Sequence, residues 1–309
     1  MDGLLVIAKP AGPSSHDVVA RLRRVLGERR IGHTGTLDPL ASGVLPLVIG
    51  RATRLARFLS AADKAYDAVI RFGYATTTGD AEGAATAPAY AGPWPSRDTV
   101  EQALDDFRGT FRQRPPAFSA KKVDGKRSYH RARLALRASP TSTIDAPPDV
   151  EVHLRRAELL ALADQRATVR IECSAGFYVR ALARDLGERL GTGAHLDSLV
   201  RTRSGSLTLS DAVPLAVAED ATTGRETAAA AIIPLSRMLL EVTALSLTSE
   251  GVTRAIHGRD LRPEDVCQGG AGAAAARGFV RLLDSAGDLV GVAAPKEGST
   301  LLHPFVVLV

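Results

Sequence analysis

The sequence has few cysteines, few aromatic residues and no long apolar run. Two of its 309 residues are cysteine, and aromatic residues make up 5% of the chain. Because Cys173 and Cys267 show no metal-ligand spacing, we expect neither a disulfide framework nor a bound metal. The apolar runs at 43–50 and 305–309 are far shorter than the roughly 20 residues that a membrane span requires. These absences exclude a disulfide-rich secreted scaffold and a protein built of membrane-spanning helices.

The N-terminal sequence MDGLLVIAKP also lacks the basic start and the small-residue cleavage site of a signal peptide. We therefore expect a cytoplasmic protein. The hydrophobic content of 45% is sufficient for a large buried core, and a length of 309 residues is typical of one large domain or of a large domain followed by a small one.

Positive charge is concentrated in one segment. The chain carries a net charge of +5, but residues 112–137 alone contribute +8, with nine Lys or Arg against Asp124. Basic side chains interleaved with Phe118 and Tyr129 are typical of a surface that follows phosphates and stacks on bases. Composition alone is equally compatible with a solvated, arginine-rich helical face. A second basic cluster lies at 20–30.

Apolar periodicity and turn signals predict a mixture of strands and helices. Alternation predicts strands in GLLVIAKP, YDAVIRFGYAT, EVHLRRAELLAL and RATVRIECSAG. Capping residues and terminal glycines predict helices in HDVVARLRRVLG, SRDTVEQALDDFRG and FYVRALARDLGERLG. Strict alternation of strand and helix is absent, so we predict an α+β fold around a mixed, largely antiparallel sheet.

A polar, alanine-rich stretch at 219–231, EDATTGRETAAAA, is typical of a linker and predicts a boundary between two domains. Beyond it, a strand-then-helix pattern resumes, and GFVRLLDSAGDLVGVAA predicts a hairpin that turns at DSAGD. A small, separate C-terminal domain is therefore expected.

The segment GHTGTLDPLASGVL, residues 32–45, places an acidic residue on a sharply turned stretch of chain. The pair Asp38-Pro39 is typical of a helix start, with Asp38 as the N-cap and Pro39 in the first turn. Taken alone, this pattern would give Asp38 a purely structural capping role.

The wider string GHTGTLDPLASGVLPLVIGRATRL resembles the signature of the TruB family of tRNA pseudouridine synthases. The resemblance extends over roughly residues 3–215. KPAGPSSHDVV is similar to the family's opening segment, and DKAYDAVIRFGYATTTGDAEG to its tyrosine-bearing strand and the loop that follows. RQRPPAFSAKKVDGKRSYHRAR is similar to its RNA-binding thumb, and CSAGFYVRALARDLGERLGTGAHLDSLVRTRSG to the segment that supplies an arginine.

The resemblance implies roles for individual residues. Asp38 falls on the catalytic aspartate, Tyr66 on the tyrosine that contacts the base, and Arg180 on the arginine that pairs with the aspartate. The implied substrate-binding positions are His33, which enters the T loop, Arg54, Tyr178, Leu199, and the thumb residues Lys121, Lys122, Lys126 and Arg127. Arg54 stands where the family often has a lysine. The alternative for Arg180 is a surface ion pair with Asp185 or Glu188 on its own helix.

The implied reaction is the isomerisation of uridine to pseudouridine at position 55 in the T loop of tRNA. It breaks the N1–C1′ bond, rotates the uracil and joins C5 to C1′, so no cofactor is expected. Asp38 would attack C1′, attack C6 of the base or deprotonate C2′, and the sequence leaves these three routes open. The target uridine must be flipped out of the folded loop.

The resemblance also implies an architecture and a partner. We expect a catalytic domain at 1–225, with a basic thumb inserted at about 110–150, and a PUA-like RNA-binding domain at 235–309. The expected partner is the T arm of tRNA, bound by a monomer. Two other functions stay open at this point: an RNA-folding protein in which catalysis is dispensable, and a glycosylase that flips a base and releases it.

Overall fold

The structure is a computed structural model that describes residues 1–117, 122–123, 126–127, 147–268 and 278–308. The α-helices in this part of the chain are α1 Ser15–Leu26, α2 Ala56–Ser60, α3 Arg97–Asp105, α4 Val179–Arg189, α5 Leu215–Ala218, α6 Gly224–Ala230 and α7 Ser249–Ile256. Short 3-10 helices occur at Gly50–Leu55, Leu209–Asp211, Leu235–Arg237 and Pro263–Asp265. Among the described helices, none has both the length and the apolar character needed to cross a bilayer.

The strands form one large sheet, one small sheet and a short ribbon. The first nine strands are β1 Gly3–Lys9, β2 Ile31–His33, β3 Ala41–Ile49, β4 Lys64–Phe72, β5 Gly109–Gln113, β6 Lys122–Val123, β7 Lys126–Arg127, β8 Val150–Ala163 and β9 Arg166–Cys173. The others are β10 Ala194–Ser204, β11 Leu207–Thr208, β12 Val213–Pro214, β13 Ile233–Pro234, β14 Ala244–Leu247, β15 Val266–Gln268, β16 Val280–Leu283, β17 Leu289–Pro295 and β18 Leu302–Val307.

The large sheet has the strand order β12-β1-β3-β10-β4-β9-β8-β5, with β2, β11 and β13 added alongside β3, β10 and β1. Its described strand pairs are antiparallel except for β1 with β12 and β3 with β10, which run parallel. The prediction of an α+β fold with a mixed, largely antiparallel sheet is therefore confirmed.

Local signals determine the ends of α1 as the sequence predicts. The hydroxyl of Ser14 accepts a hydrogen bond from the Asp17 N–H, and the Asp17 carboxylate accepts one from the Ser14 N–H, which forms a capping box. At the other end Gly27 adopts the left-handed conformation, with φ 67°. The apolar face of α1, which includes Val18 and Leu22, is buried in the main core.

The prediction of a helix that starts at Asp38-Pro39 is wrong. Pro39 and Leu40 form a tight turn, closed by a hydrogen bond of 3.1 Å from the Ala41 N–H to the Asp38 carbonyl. The chain then enters β3, because Ala41 pairs in parallel with Leu199 of β10. Pairing with a strand that is remote in sequence overrides the local helix signal.

Gly43 allows β3 and β10 to approach closely. Its φ is 105°, and a Cβ at this position would clash with the backbone of Arg201 in β10. We expect Gly43→Ala to lower the free energy of unfolding by about 3 kcal/mol or more, because it combines backbone strain with overpacking. Gly27→Ala is the matched control: its φ is also positive, but the space around it is open, and it should cost only about 1–2 kcal/mol.

Denaturant unfolding of the two variants tests this prediction. A loss in Gly43→Ala that is no larger than the loss in Gly27→Ala would show that the close approach of β3 and β10 is not required.

The small sheet forms the C-terminal part of the chain, with the strand order β15-β14-β16-β17-β18. Strands β16 and β17 form the hairpin predicted at DSAGD. This sheet has its own core, which includes Leu245, Leu282 and Val290. A β-rich C-terminal domain is thus confirmed.

The prediction of a linker at 219–231 is wrong, since this stretch contains α6. Ala228 of α6 is fully buried in the main core, and the helix packs against α1. The chain then adds β13 to the large sheet before it reaches the small one, with Ile233 opposite Leu4. A second apolar cluster, to which Leu4 and Met238 belong, joins the two parts of the molecule.

Candidate active site

Asp38 lies in the turn that precedes β3, and the opening segment of the chain holds this turn in place. The hydroxyl of Ser15, at the start of α1, donates to the Leu37 carbonyl at 2.9 Å and accepts from the Leu37 N–H at 2.7 Å. The Gly12 N–H donates to the Pro39 carbonyl at 2.8 Å. The residues on both sides of Asp38 are therefore anchored, while its own side chain is 38% exposed.

Arg180 forms an ion pair with Asp38. Its Nε lies 2.9 Å from Oδ2 of Asp38, although the two residues are 142 positions apart. The Arg180 side chain is 6% exposed and lies in the first turn of α4. Its Nη1 donates to the Thr78 carbonyl at 2.8 Å. The alternative pairing within α4 is not observed for Asp185, which contacts Arg184 at 2.6 Å.

A second carboxylate stands behind the arginine. Oδ2 of Asp80 lies 3.7 Å from Nη1 of Arg180, and the Asp80 side chain is 7% exposed. The Thr78 hydroxyl and the Glu82 N–H both donate to Oδ1 of Asp80. Arg180 thus lies between a buried carboxylate and a more exposed one, which stabilises its charge and fixes its direction.

The Asp38–Arg180 pair lies in the wall of a cavity of about 380 Å³, within the usual range for a small-ligand pocket. The lining residues are His33, Thr34, Gly35, Thr36, Leu37, Asp38, Ser60, Lys64, Tyr66, Ser174, Gly176, Phe177, Tyr178, Val179, Arg180, Leu199 and Arg201. The sequence-predicted residues Asp38, Tyr66, Arg180, His33, Tyr178 and Leu199 are therefore brought together.

Strand register explains how these residues meet. In β10, Leu199 lies beside Ala41 of β3, three residues after Asp38. On the other side of β10, Arg201 lies directly opposite Tyr66 of β4. Residues two apart on a strand share a face, so Leu199 and Arg201 point to the same side of the sheet as Tyr66.

Tyr66 is 8% exposed, and burial raises the pKa of its phenol to about 12, even though the Arg201 charge opposes this shift. The phenol is therefore protonated at neutral pH. Tyr66 lines the cavity, and an aromatic ring of this kind can stack on a base.

The cavity is also lined or flanked by buried cations that the sequence analysis did not identify. Arg201 is 1% exposed and donates to the Val44 and Gly35 carbonyls, at 2.7 and 3.1 Å. Burial lowers the pKa of Lys9 to about 8 despite the opposing charge of Asp38, and burial lowers the pKa of Lys64 to about 8 as well. These groups make the surroundings of the cavity electropositive.

His33 lies at the end of β2 and lines the cavity. Its ring packs edge-to-face with that of His16, with the ring centroids 5.2 Å apart. The chain runs from the end of β2 into the turn that carries Asp38, and both side chains line the same cavity.

The remaining predicted contacts are not among the described residues that line the cavity. Arg54 is not among the described residues that line the cavity, because the 3-10 helix Gly50–Leu55 turns its side chain toward the C-terminus, where Nη1 donates to the Val307 carbonyl at 2.5 Å. Lys121 lies outside the described residues. Lys122, Lys126 and Arg127 belong to the ribbon of β6 and β7, of which the backbone alone is described, with Lys122 opposite Arg127.

Across the part of the chain that the structure describes, no group of three or more His, Cys, Asp or Glu side chains is arranged as metal ligands would be. The cavity wall offers one carboxylate, several cations, apolar side chains and the three aromatic rings of Tyr66, Phe177 and Tyr178. Such a site can bind a planar base and act on it through its carboxylate.

Among solved structures, the fold is similar to that of a chain in a Cbf5-Nop10-Gar1 complex, with a TM-score of 0.72 and 25% identity over 99% of this chain and 85% of that one. A chain of an H/ACA RNP bound to a substrate RNA containing 2'-deoxyuridine gives a TM-score of 0.71 and 24% identity, with the same coverage. These likenesses show a shared fold over almost the whole chain.

Sequence comparison identifies the family. Residues 23–179 match the model of the TruB family pseudouridylate synthase N-terminal domain, and residues 180–245 match that of the tRNA pseudouridylate synthase B C-terminal domain. The chain is 39% identical to tRNA pseudouridine synthase B of Solibacter usitatus (strain Ellin6076), over 100% of both chains. It is 42% identical to the protein of the same name from Gloeobacter violaceus (strain ATCC 29082 / PCC 7421), over 100% of this chain and 99% of that one. The chain therefore belongs to the TruB family.

Proposed function

We propose that this protein isomerises uridine to pseudouridine at position 55 in the T loop of tRNA, with Asp38 as the essential catalytic residue. The observation that carries the proposal is the Asp38–Arg180 ion pair of 2.9 Å in the wall of a base-sized cavity. The printed names of the full-length relatives support tRNA as the substrate.

The reaction exchanges one glycosidic bond for another. The N1–C1′ bond breaks, the uracil rotates within the pocket, and C5 bonds to C1′; C5 then loses its proton and N1 gains one. No electrons are gained or lost. Three routes are open to Asp38: attack at C1′, attack at C6 and deprotonation of C2′. Each of them needs an ionised carboxylate. Arg180 places its positive charge 2.9 Å from the Asp38 carboxylate and orients it toward the sugar and base.

Tyr66 supports the base during this exchange. Its ring stacks on the flipped uracil, and Leu199 on the neighbouring strand closes the apolar side of the pocket. With a pKa near 12, the phenol acts as a neutral hydrogen-bonding group toward the base. Tyr178 also lines the cavity.

The target uridine has to leave its stacked position before it can reach Asp38. Flipping a base costs about a few kcal/mol. His33 borders the opening of the cavity, and we propose that its ring fills the gap left in the T loop. This contact would stabilise the flipped state.

The rest of the RNA interface is assigned on charge. We propose that the basic thumb at about 110–150 binds the T arm. We also propose that a catalytic domain at 1–225 is followed by a PUA-like RNA-binding domain at 235–309. The protein is proposed to act as a monomer in the cytoplasm. Lys121, Lys122, Lys126 and Arg127 of the thumb would contact phosphates.

Changing these four thumb residues together to Ala should weaken tRNA binding and flatten its salt dependence. Each lost phosphate contact removes roughly 0.7 to 0.9 from the slope of log K against log salt. The rate at saturating tRNA should fall less than the affinity, because none of these groups is assigned to the reacting uridine. Binding isotherms at several salt concentrations provide the measurement. An unchanged affinity and slope would show that the cluster is only a solvated surface.

The function itself is tested by incubating the protein with unmodified tRNA and separating the nucleosides and free bases. Pseudouridine without free uracil is the expected product. Free uracil would identify a glycosylase. If binding leads to neither product, the protein binds RNA without this chemistry.

A further inference from the structure

A buried glutamine outside the cavity holds the backbone of Tyr178. Gln113 is the last residue of β5 and is 1% exposed. Its Oε1 accepts a hydrogen bond from the Tyr178 N–H at 2.8 Å, and its Nε2 donates to the Tyr178 carbonyl at 3.1 Å. Both ends of one side-chain amide are thus used on a single residue that lies 65 positions away.

Tyr178 is the N-cap of α4, the helix that carries Arg180. Its backbone is extended, with φ −114° and ψ 110°, and its own side chain makes no capping hydrogen bond. The N–H groups of Ala181 and Leu182 both donate to the Tyr178 carbonyl at 3.1 Å. The position of Tyr178 therefore sets where the helix begins, and Arg180 follows two residues later.

A second contact fixes the same end of β5 to α4. Nη2 of Arg184 donates to the carbonyl of Arg114, the residue after Gln113, at 3.1 Å. In β5, Gln113 is paired with Val150 of β8, which keeps it on the edge of the large sheet. Pairing with β8 therefore fixes the backbone of Gln113, and its side chain fixes the start of α4.

We propose that Gln113 is a positioning residue for the isomerisation. By clamping Tyr178 it sets the first turn of α4, so that Arg180 reaches Asp38 and the Tyr178 side chain lines the cavity. This role rests on the function proposed above. A displacement of about 1 Å in a catalytic group can cost about 100-fold in rate.

Gln113→Met tests the proposal, since it keeps the length of the side chain and removes both hydrogen bonds. We expect its single-turnover rate on tRNA to fall about 10-fold to 100-fold, while the tRNA dissociation constant stays within about threefold of wild type. Thr110→Val is the matched control. It removes the Thr110–His153 hydrogen bond of 2.9 Å between β5 and β8 without touching α4, and should leave the rate unchanged.

A double variant separates positioning from a general structural effect. In an Arg180→Lys background no guanidinium remains to be positioned, so Gln113→Met should cost less than about a further threefold. Independent structural damage would instead multiply the two losses. A wild-type rate for Gln113→Met, or fully multiplicative losses, would overturn the proposal.

Gln113→Asn decides the question if Gln113→Met does not fold, because its shorter amide keeps the polarity but cannot reach both backbone groups. Its rate should lie at least about fivefold below wild type, and an unchanged rate would overturn the proposal. If the wild-type protein forms no pseudouridine in tRNA, the proposed function fails first and the role of Gln113 fails with it.

Discussion

Asp38→Asn should abolish pseudouridine formation and leave tRNA binding within about tenfold of wild type, or roughly 1.4 kcal/mol. The amide is nearly the same size as the carboxylate. The turn itself should survive, because the hydrogen bond that closes it runs from the Ala41 N–H to the backbone carbonyl of residue 38. Only the charge that faces Arg180 is removed, and each of the three routes requires that charge.

Single-turnover assays with excess enzyme measure the effect, after contaminating wild-type synthase has been excluded. Turnover above about 2% of wild type would mean that Asp38 is structural, since loss of the essential group in a catalytic unit typically costs far more than 50-fold.

Arg180→Met should have the second-largest effect. It removes the cation that Asp38 and Asp80 share. The Asp38 side chain is 38% exposed, and the Asp80 side chain is 7% exposed. Removing one member of a buried ion pair typically costs about 3–5 kcal/mol. We therefore expect both a severe loss of rate and a clear loss of stability.

Arg180→Lys should recover only part of the activity, because an ammonium cannot reproduce the planar guanidinium that reaches Asp38, Asp80 and the Thr78 carbonyl. Arg189→Met is the matched control on the same helix. Arg189 pairs with Asp106 at the surface, and exposed pairs contribute about 0–1 kcal/mol. Equal rates for Arg180→Lys and wild type would contradict the geometry we assign to this residue.

Local structure could be predicted where the signal is local. The capping box of Ser14 and Asp17 and the left-handed Gly27 depend on neighbours in sequence, and the structure has both. The helix start at Asp38-Pro39 failed because the parallel pairing of β3 with β10 draws the chain into a strand. The prediction of a linker at 219–231 was also wrong because of contacts that are distant in sequence. Burial of Ala228 in the main core stabilises α6.

The site was predicted as far as its motifs extend. Asp38 and Arg180 were paired through the family resemblance, and no local pattern would have joined residues 142 positions apart. Asp80 lies within the quoted segment DKAYDAVIRFGYATTTGDAEG, so an acidic residue in that loop was the available signal. Gln113 lies within the quoted segment RQRPPAFSAKKVDGKRSYHRAR, but nothing in that segment indicates its backbone partner Tyr178.

Arg54 shows the opposite case. The family resemblance led to a predicted substrate contact, at a position where the family often has a lysine, whereas in the structure its Nη1 donates to the Val307 carbonyl. Arg54 is not among the described residues that line the cavity, and its contact with substrate stays a prediction.

The most direct measurement is a map of pseudouridine in unmodified tRNA by chemical labelling and primer extension, after incubation with wild-type protein and, side by side, with Asp38→Asn. We predict one strong stop, at the uridine of position 55 in the T loop, with the wild-type protein and none with the variant. A wild-type reaction without that stop, or the same stop with Asp38→Asn, would contradict the assignment of this pocket as the site of uridine isomerisation.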